Sequence, residues 1–543
     1  MTSEPFTPMP SGLFSPIGKA ISLDTPACLS LLRNIDYPLF FFRDEKGWMV
    51  QAGEHNPNTN NEGLRPWLSV LPACPLTQLG SASFCVDLRL RYAYVGGSMA
   101  KGISSVALVR ALGEAGMLGF FGAAGLAIDD VDAAIVALQS NADFSFGCNL
   151  IHSPSEPQLE EALVNLYLYR SVTLIEASAF LDLTLALVRY RTHGIYRNEK
   201  GEIITPNRII AKVSREEIAT KFFSPPPERM LECLVDQGVL TAKQAKLAVH
   251  IPMAQDVTAE ADSGGHTDNR PALTLFPTLL ALKENMQQRY AYHQRLRLGL
   301  GGGIATPTAA AAAFAMGAAY VVTGTVNQAC IESGSSHVVR KILAETRQAD
   351  IAMAPSGDMF EMGVHVQVVK RGTMFPMRAA RLYALYCKYD SLASIPINER
   401  EKLEKTWFRM PLEDVWQQTK VYFSKRDPKQ LSRAKKDEKH RMALVFRWYL
   451  GQSPVWANTG DTSRVMDYQI WCGPAMGAFN EWVKGSCIEP VSERQVVVVA
   501  LNILWGAAMQ LRQQCWRGQG LRPRLPRDAF APIPLQQIKE LVS

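Results

Sequence analysis

Short apolar runs recur along the middle of the chain, separated mostly by helix-length stretches rich in Ala, Leu, Glu and Lys. Eight runs stand out: Tyr92–Gly96, Met117–Phe121, Phe144–Asn149, Val172–Glu176, Arg208–Val213, Asp256–Glu260, Leu296–Gly301 and Ala319–Thr323. Between them lie stretches such as Ser105–Glu114, Val131–Gln139, Glu160–Tyr169 and Pro307–Met316. Apolar strands alternating with helices are buried on both faces, which marks parallel βα units. Eight units predict an α/β protein built on a (β/α)8 TIM barrel, with a doubly wound open sheet as the alternative.

The flanks read differently. Residues 1–90 are punctuated by Pro and Gly, with strand-like fragments at Tyr37–Phe42 and Phe84–Leu88, and predict a small N-terminal region. Residues 91–388 hold the barrel. Residues 389–543 show no βα rhythm and carry eight of the ten tryptophans, which predicts a helical C-terminal module packed on the barrel. The most membrane-like run, from Pro307 to Val322, is sixteen residues long and interrupted by Gly317. That is short of the ~20 residues a span needs. A buried helix followed by a buried strand explains it, and no membrane span is expected.

Composition narrows the class. The chain has 543 residues, 47% hydrophobic and 20% charged, so a disordered or collagen-like chain is excluded. A net charge of +6 is mild for this length and, with no recognised binding fold beside it, gives no ground for nucleic-acid binding. The ten cysteines form no CxxC pair, so they read as reduced, mostly buried thiols of a cytoplasmic protein rather than a metal site. The opening MTSEPFTPMPSGLFSP lacks the basic-then-apolar pattern of a secretory leader.

Glycine-centred sites follow the predicted strands. Gly301-Gly302-Gly303-Ile304-Ala305-Thr306-Pro307 follows the seventh; its bare backbone can approach a phosphate, Thr306 can cap the next helix, and Pro307 suits its first turn. A tight βα turn would look the same. Thr323-Gly324-Thr325 follows the eighth strand, and loops seven and eight together form a recurring phosphate site of this barrel. Asp262-Ser263-Gly264-Gly265-His266 follows the sixth and brings a histidine to the catalytic face. Gly96-Gly97-Ser98-Met99-Ala100-Lys101-Gly102 follows the first; it falls short of a nucleophile elbow and suits a backbone loop over a flat ring. Asn149 ends the third strand and can pair with a heteroaromatic edge, while Lys212 lies within the fifth.

In this order, GGSMAKGISS, FGCNL, the lysine of IIAKV, ADSGGH, GLGGGIATP and VVTGT resemble the nitronate monooxygenase-like flavin barrels, which include FMN-dependent enoyl reductases of fatty acid synthesis. The stretches Asp358–Arg378, Phe446–Gly451 and Asp467–Asn480 resemble the trans-acting enoyl reductase subunit of polyunsaturated fatty acid synthases, the PfaD family, whose relatives serve polyketide synthases. The resemblance implies FMN held by Ser98, Met99, Ala100, Asn149, Lys212, Gly265, Gly302, Gly303, Gly324 and Thr325, with its phosphate on the last two loops. It implies His266 as the catalytic-site histidine, Lys212 beside the reduced ring, and NADPH or NADH as reductant. Asp262 departs from the glutamate usual there. The implied substrate is a 2-enoyl thioester on an acyl carrier protein, and the basic stretch 425–441 offers a dock for that acidic partner or simply a solvated face. Oxidative chemistry of the nitronate monooxygenase type and a non-catalytic scaffold are the competing functions. The oligomeric state is open, a homodimer included.

Overall fold

In the computed structural model, the described residues are 12–23, 27–45, 47–55, 63–140, 143–152, 154, 156–520, 525–526 and 528–541. The first eleven residues, where a leader was read as lacking, lie outside them.

Eight parallel strands close into a barrel: β1 (Tyr94–Gly96), β2 (Leu118–Phe121), β3 (Phe146–Ile151), β4 (Leu174–Ser178), β5 (Arg208–Val213), β6 (Asp256–Glu260), β7 (Arg297–Gly301) and β8 (Val321–Thr323). Each pairs with its sequence neighbours and β8 returns to β1 through Val321↔Tyr94 and Thr323↔Gly96. All eight fall within or across the apolar runs, so the barrel reading holds and the open sheet is excluded. Val95, Leu118, Phe120, Ile210 and Val322 fill the interior.

The run Phe84–Leu88 is not a strand. It belongs to the helix Ala82–Leu88, capped by Ser81, whose hydroxyl accepts from Phe84 N–H. Its buried residues Phe84, Cys85 and Leu88 share one helical face, a spacing that a short apolar run hides. The helix plugs the lower end of the barrel: Phe84 stacks on Tyr320 at 4.2 Å, and Arg297 bridges Asp87 (2.7 Å) and Asp256 (2.6 Å).

Before the barrel, Gly12–Ser22, Leu39–Asp44, Gly47–His55, Arg65–Trp67 and Ser69–Leu71 form an antiparallel sheet. After it, the hairpin Ile351–Pro355/His365–Val369 packs with the helices Phe375–Lys388, Leu412–Arg426, Pro428–Ala434 and Glu438–Thr459 around one apolar cluster running from Ala354 to Leu450. The helix Val496–Gly518 instead joins the core of the barrel, where Gly506 lets it close on Pro307. Its Trp505 and Arg512 hydrogen-bond to carbonyls of Arg33, Asn34 and Tyr37, tying the N-terminal region to the barrel. This helix, rather than Pro307–Val322, is the one long and apolar enough to cross a membrane among the described residues, and most of it is buried in the protein. Pro307–Val322 divides as expected into the helix Pro307–Ala315 and β8. Of the cysteines, Cys28, Cys85, Cys148, Cys330 and Cys472 are buried and Cys74 and Cys233 half-buried, while Cys387, Cys487 and Cys515 are exposed.

Candidate active site

A cavity of about 750 Å³ opens at the C-terminal ends of the barrel strands and is roofed by the hairpin and the helical region. The size suits an organic cofactor or substrate. Ser98, Met99, Ala100, Asn149, Lys212, Gly265, His266, Gly302, Gly303, Gly324 and Thr325 all line it. Eleven positions spread over more than two hundred residues thus meet in one space.

The glycine loops supply bare backbone. Thr306 caps the helix after β7, accepting from Ala309 N–H at 3.3 Å. Gly302 has φ +85 and lies so close to loop six that a Cβ would stand 2.5 Å from the Ala261 carbonyl. A Cβ at Gly303 or Gly324 would meet nothing within 4 Å. The loop after β1 is fixed by Ser104, which accepts from Met99 N–H (2.9 Å) and donates to the Gly97 carbonyl (3.0 Å). The side-chain oxygen of buried Asn149 has no hydrogen-bond partner within the protein.

A charged group on the cavity floor was not anticipated. Glu176, the fifth residue counted in the fourth apolar run, is fully buried; it accepts from Ser98 N–H at 2.9 Å and from the Ser98 hydroxyl. Lys212 Nζ stands 3.8 Å from Glu176 and 3.1 Å from Glu260. Burial pulls the Lys212 ammonium down, but the two carboxylates outweigh it and its pKa lies above the ordinary lysine value. Burial also raises Glu176, against the pull of Lys212 and Ser98. The signal was present: three adjacent strands carry Glu176 midway along β4, Lys212 near the end of β5 and Glu260 at the end of β6, toward the catalytic face.

His266 forms a two-residue strand with Gly265 against the hairpin, in register with Val366. Its Nε2 lies 3.1 Å from Asp358 Oδ2. Asp358 also accepts from Met359 N–H (3.1 Å) and from the Ser356 hydroxyl. Burial lowers the imidazole pKa, yet Asp358 overcomes it, so His266 holds its proton to higher pH than an ordinary histidine. His266 and Ser356 hold Asp358 well below the usual carboxylate range, against burial. Asp358 is 92 residues from His266 and lies outside the barrel, so no motif joined the two. Asp262, the departure noted in the sequence, accepts from Asn269 (2.9 Å) and Gln367 (2.8 Å) side chains and fastens loop six to the hairpin.

The barrel, its paired glycine loops and the Gly-Gly-His loop define a class. Residues 83–382, more than half of the chain, match the family model described as nitronate monooxygenase, and the chain belongs to that family. Residues 389–468 match a second model, the inserted helical domain of [acyl-carrier-protein] S-malonyltransferase. Within the family the chain is 35% identical to the crystal structure of the enoyl reductase domain of MlnA, from the macrolactin biosynthesis cluster of Bacillus amyloliquefaciens. That likeness covers 82% of this chain and 99% of that one, with a TM-score of 0.75. The chain is 44% identical over 508 residues to one of the proteins that make up the polyunsaturated fatty acid synthase of Thraustochytrium sp., covering 92% of this chain and 34% of that protein. It is 42% identical over 438 residues to polyketide biosynthesis protein PksE of Bacillus subtilis, covering 80% and 57%. The chain therefore spans a third to just over half of these curated relatives. The family resemblance read from the motifs holds.

Proposed function

We propose that the protein is an FMN-dependent enoyl reductase that acts in trans, reducing 2-enoyl thioesters carried by an acyl carrier protein with NADPH or NADH. The observation that supports this most is one cavity holding both an open glycine cradle and a His–Asp pair.

The cavity fits a flavin on its own geometry. Gly303 and Gly324 leave room for a phosphate against bare backbone. The unpartnered Asn149 oxygen suits a ring N–H. Lys212 holds a fixed cation at the floor, kept charged by Glu176 and Glu260. A flavin bound there supplies two-electron transfer between a reduced nicotinamide and the β-carbon of an enoyl thioester. The protein's share is proton delivery and charge stabilisation. Addition at the β-carbon builds enolate charge on the thioester. His266, which its bond to Asp358 keeps protonated to higher pH than an ordinary histidine, donates a proton at the α-carbon or a hydrogen bond to the enolate oxygen. The hairpin that carries Asp358 also lays Met359, Val364 and Val366 along the cavity, an apolar surface for an acyl chain.

The 389–468 match to a domain named for an acyl-carrier-protein enzyme and the relatedness to synthase proteins support a carrier-bound substrate. Purified protein should be yellow, should release FMN on denaturation, and should oxidise a reduced nicotinamide when given a 2-enoyl thioester under nitrogen. Colourless protein that takes up no FMN would refute the cofactor; flavin reduced by a nicotinamide but not reoxidised by any enoyl thioester would refute the reaction.

A further inference from the structure

One wall of the cavity is cationic. Lys101 from the loop after β1, Arg426 at the end of the helix Leu412–Arg426, and Arg447 from the helix Glu438–Thr459 all line it. Among the described residues one carboxylate of the wall bonds to them: Glu156 accepts from Arg426 Nε and Nη2 at 2.8 and 2.9 Å, while Glu361, already held by His440 and Arg433, also attracts Arg447. Lys101 Nζ donates to the Gly125 carbonyl (3.0 Å) and Arg447 Nε to the Gly357 carbonyl (2.8 Å); neither carbonyl neutralises the charge it meets. The rings beside them are aromatic rather than acidic, with Arg426 5.4 Å over Tyr422 and Arg447 5.9 Å over Phe423.

The other carboxylates on the cavity wall are engaged elsewhere. Glu260 meets Lys212, Asp268 meets Arg215 at 2.8 Å, Asp358 meets His266, and Asp262 holds Asn269 and Gln367. Three cations on this wall therefore share Glu156 and part of the charge of Glu361, an excess of positive charge in a partly desolvated space, where a further anion is attracted far more strongly than in bulk water. Burial and the neighbouring Arg426 hold the Lys101 ammonium below the ordinary lysine range, against the pull of Glu156.

This wall is not the glycine cradle. Glu156 follows β3, four strands from β7 and three from β8, and Lys101, though it leaves the loop after β1 beside β8, reaches away from the cradle to the Gly125 carbonyl after β2. From the excess positive charge we infer that the cavity takes a second phosphate ester, opposite the glycine loops, bound by Lys101, Arg426 and Arg447. Two reactants of the proposed reduction carry such a group: the phosphopantetheine arm of a carrier-bound thioester and the nicotinamide dinucleotide. In naming these sources the inference rests on the enoyl reductase reading; the charge arrangement does not.

Binding rather than turnover tests it, so a failure of enoyl reduction would leave the result standing. The flavin-loaded protein is titrated calorimetrically with 4′-phosphopantetheine, pantetheine, NADP⁺ and NAD⁺, none of which reduces the flavin. The same series is run on Lys101→Gln, Arg426→Gln, Arg447→Gln and Glu156→Gln. Wild type should bind 4′-phosphopantetheine or a dinucleotide at least tenfold more tightly than pantetheine, and each cation variant should lose most of that preference. Glu156→Gln should tighten the same ligand several-fold, a gain that no misfolding can produce. Loss confined to 4′-phosphopantetheine assigns the wall to the carrier arm; loss confined to the dinucleotides assigns it to the reductant. Equal binding of pantetheine and 4′-phosphopantetheine, with dinucleotide affinity unmoved in every variant, would overturn the inference.

Discussion

Replacing Asp358 with Asn leaves the shape of the dyad and removes its charge. In the wild type the carboxylate faces His266 Nε2 at 3.1 Å and raises the imidazole pKa against burial. A hydrogen bond to a charged group contributes about 1.5–3 kcal/mol. The two side chains are 30% and 41% exposed to the cavity, so screening puts the effect of the bond at the lower end, ~1.5 kcal/mol, or roughly tenfold in an equilibrium or rate. The sign is set by which state keeps the proton. His266 with Asp358 stays protonated to higher pH; in Asp358→Asn burial and Lys212 are opposed by Glu260 alone, and the proton leaves at lower pH. The assay is anaerobic stopped-flow, following reoxidation of pre-reduced protein by a 2-enoyl thioester across pH. The alkaline limb of that rate should move toward acid, with roughly a tenfold deficit above it. Flavin reduction by the nicotinamide should keep its own pH profile. An unmoved alkaline limb with a normal rate would refute the proton-donor role of the dyad.

His266→Ala should keep its flavin and lose about 10²–10⁴-fold in the enoyl half-reaction, measured in the same apparatus. Gly324→Asp should fold normally, since a Cβ there meets nothing within 4 Å, yet purify without FMN; Gly302 is the poorer choice because its Cβ would strike the Ala261 carbonyl. Lys212→Met strands the buried Glu176 carboxylate and should cost about 3–5 kcal/mol in denaturant unfolding of the flavin-free protein, largely restored by adding Glu176→Gln. Charge reversal at Lys435 and Lys436 should raise KM for carrier-bound substrate in a salt-sensitive way while sparing a free thioester; Lys439, tied to Asp390 at 2.9 Å, should matter less.

The barrel was legible because its strands are buried on both faces and so appear as short, largely apolar runs spaced by helices. The same rule misread Phe84–Leu88, where one helical turn of apolar residues has the length of a strand. Loop residues were legible where glycine must approach something closely, as at Gly302 and Gly303. The carboxylates were not. Glu176 and Glu260 stood at the ends of runs counted for their apolar neighbours, and their meaning depends on the register of three strands. Asp358 was visible only as part of a family stretch, since its partner lies across a hairpin that no periodicity announces. The basic stretch 425–441 was read as one surface. The structure disperses it: Arg433 pairs with Glu361, Lys439 with Asp390 and Arg441 with Glu413, while Arg426 turns into the cavity.

Enoyl reduction is tested most directly against its oxidative rival in one comparison. The flavin-loaded protein and a reduced nicotinamide are given a carrier-bound 2-enoyl thioester or a nitroalkane, each under nitrogen and under air, and products are identified by mass. Saturation of the enoyl double bond under nitrogen, one nicotinamide oxidised per bond reduced, is the expected result. Oxygen-dependent turnover of the nitroalkane with no reduction of the thioester would contradict it.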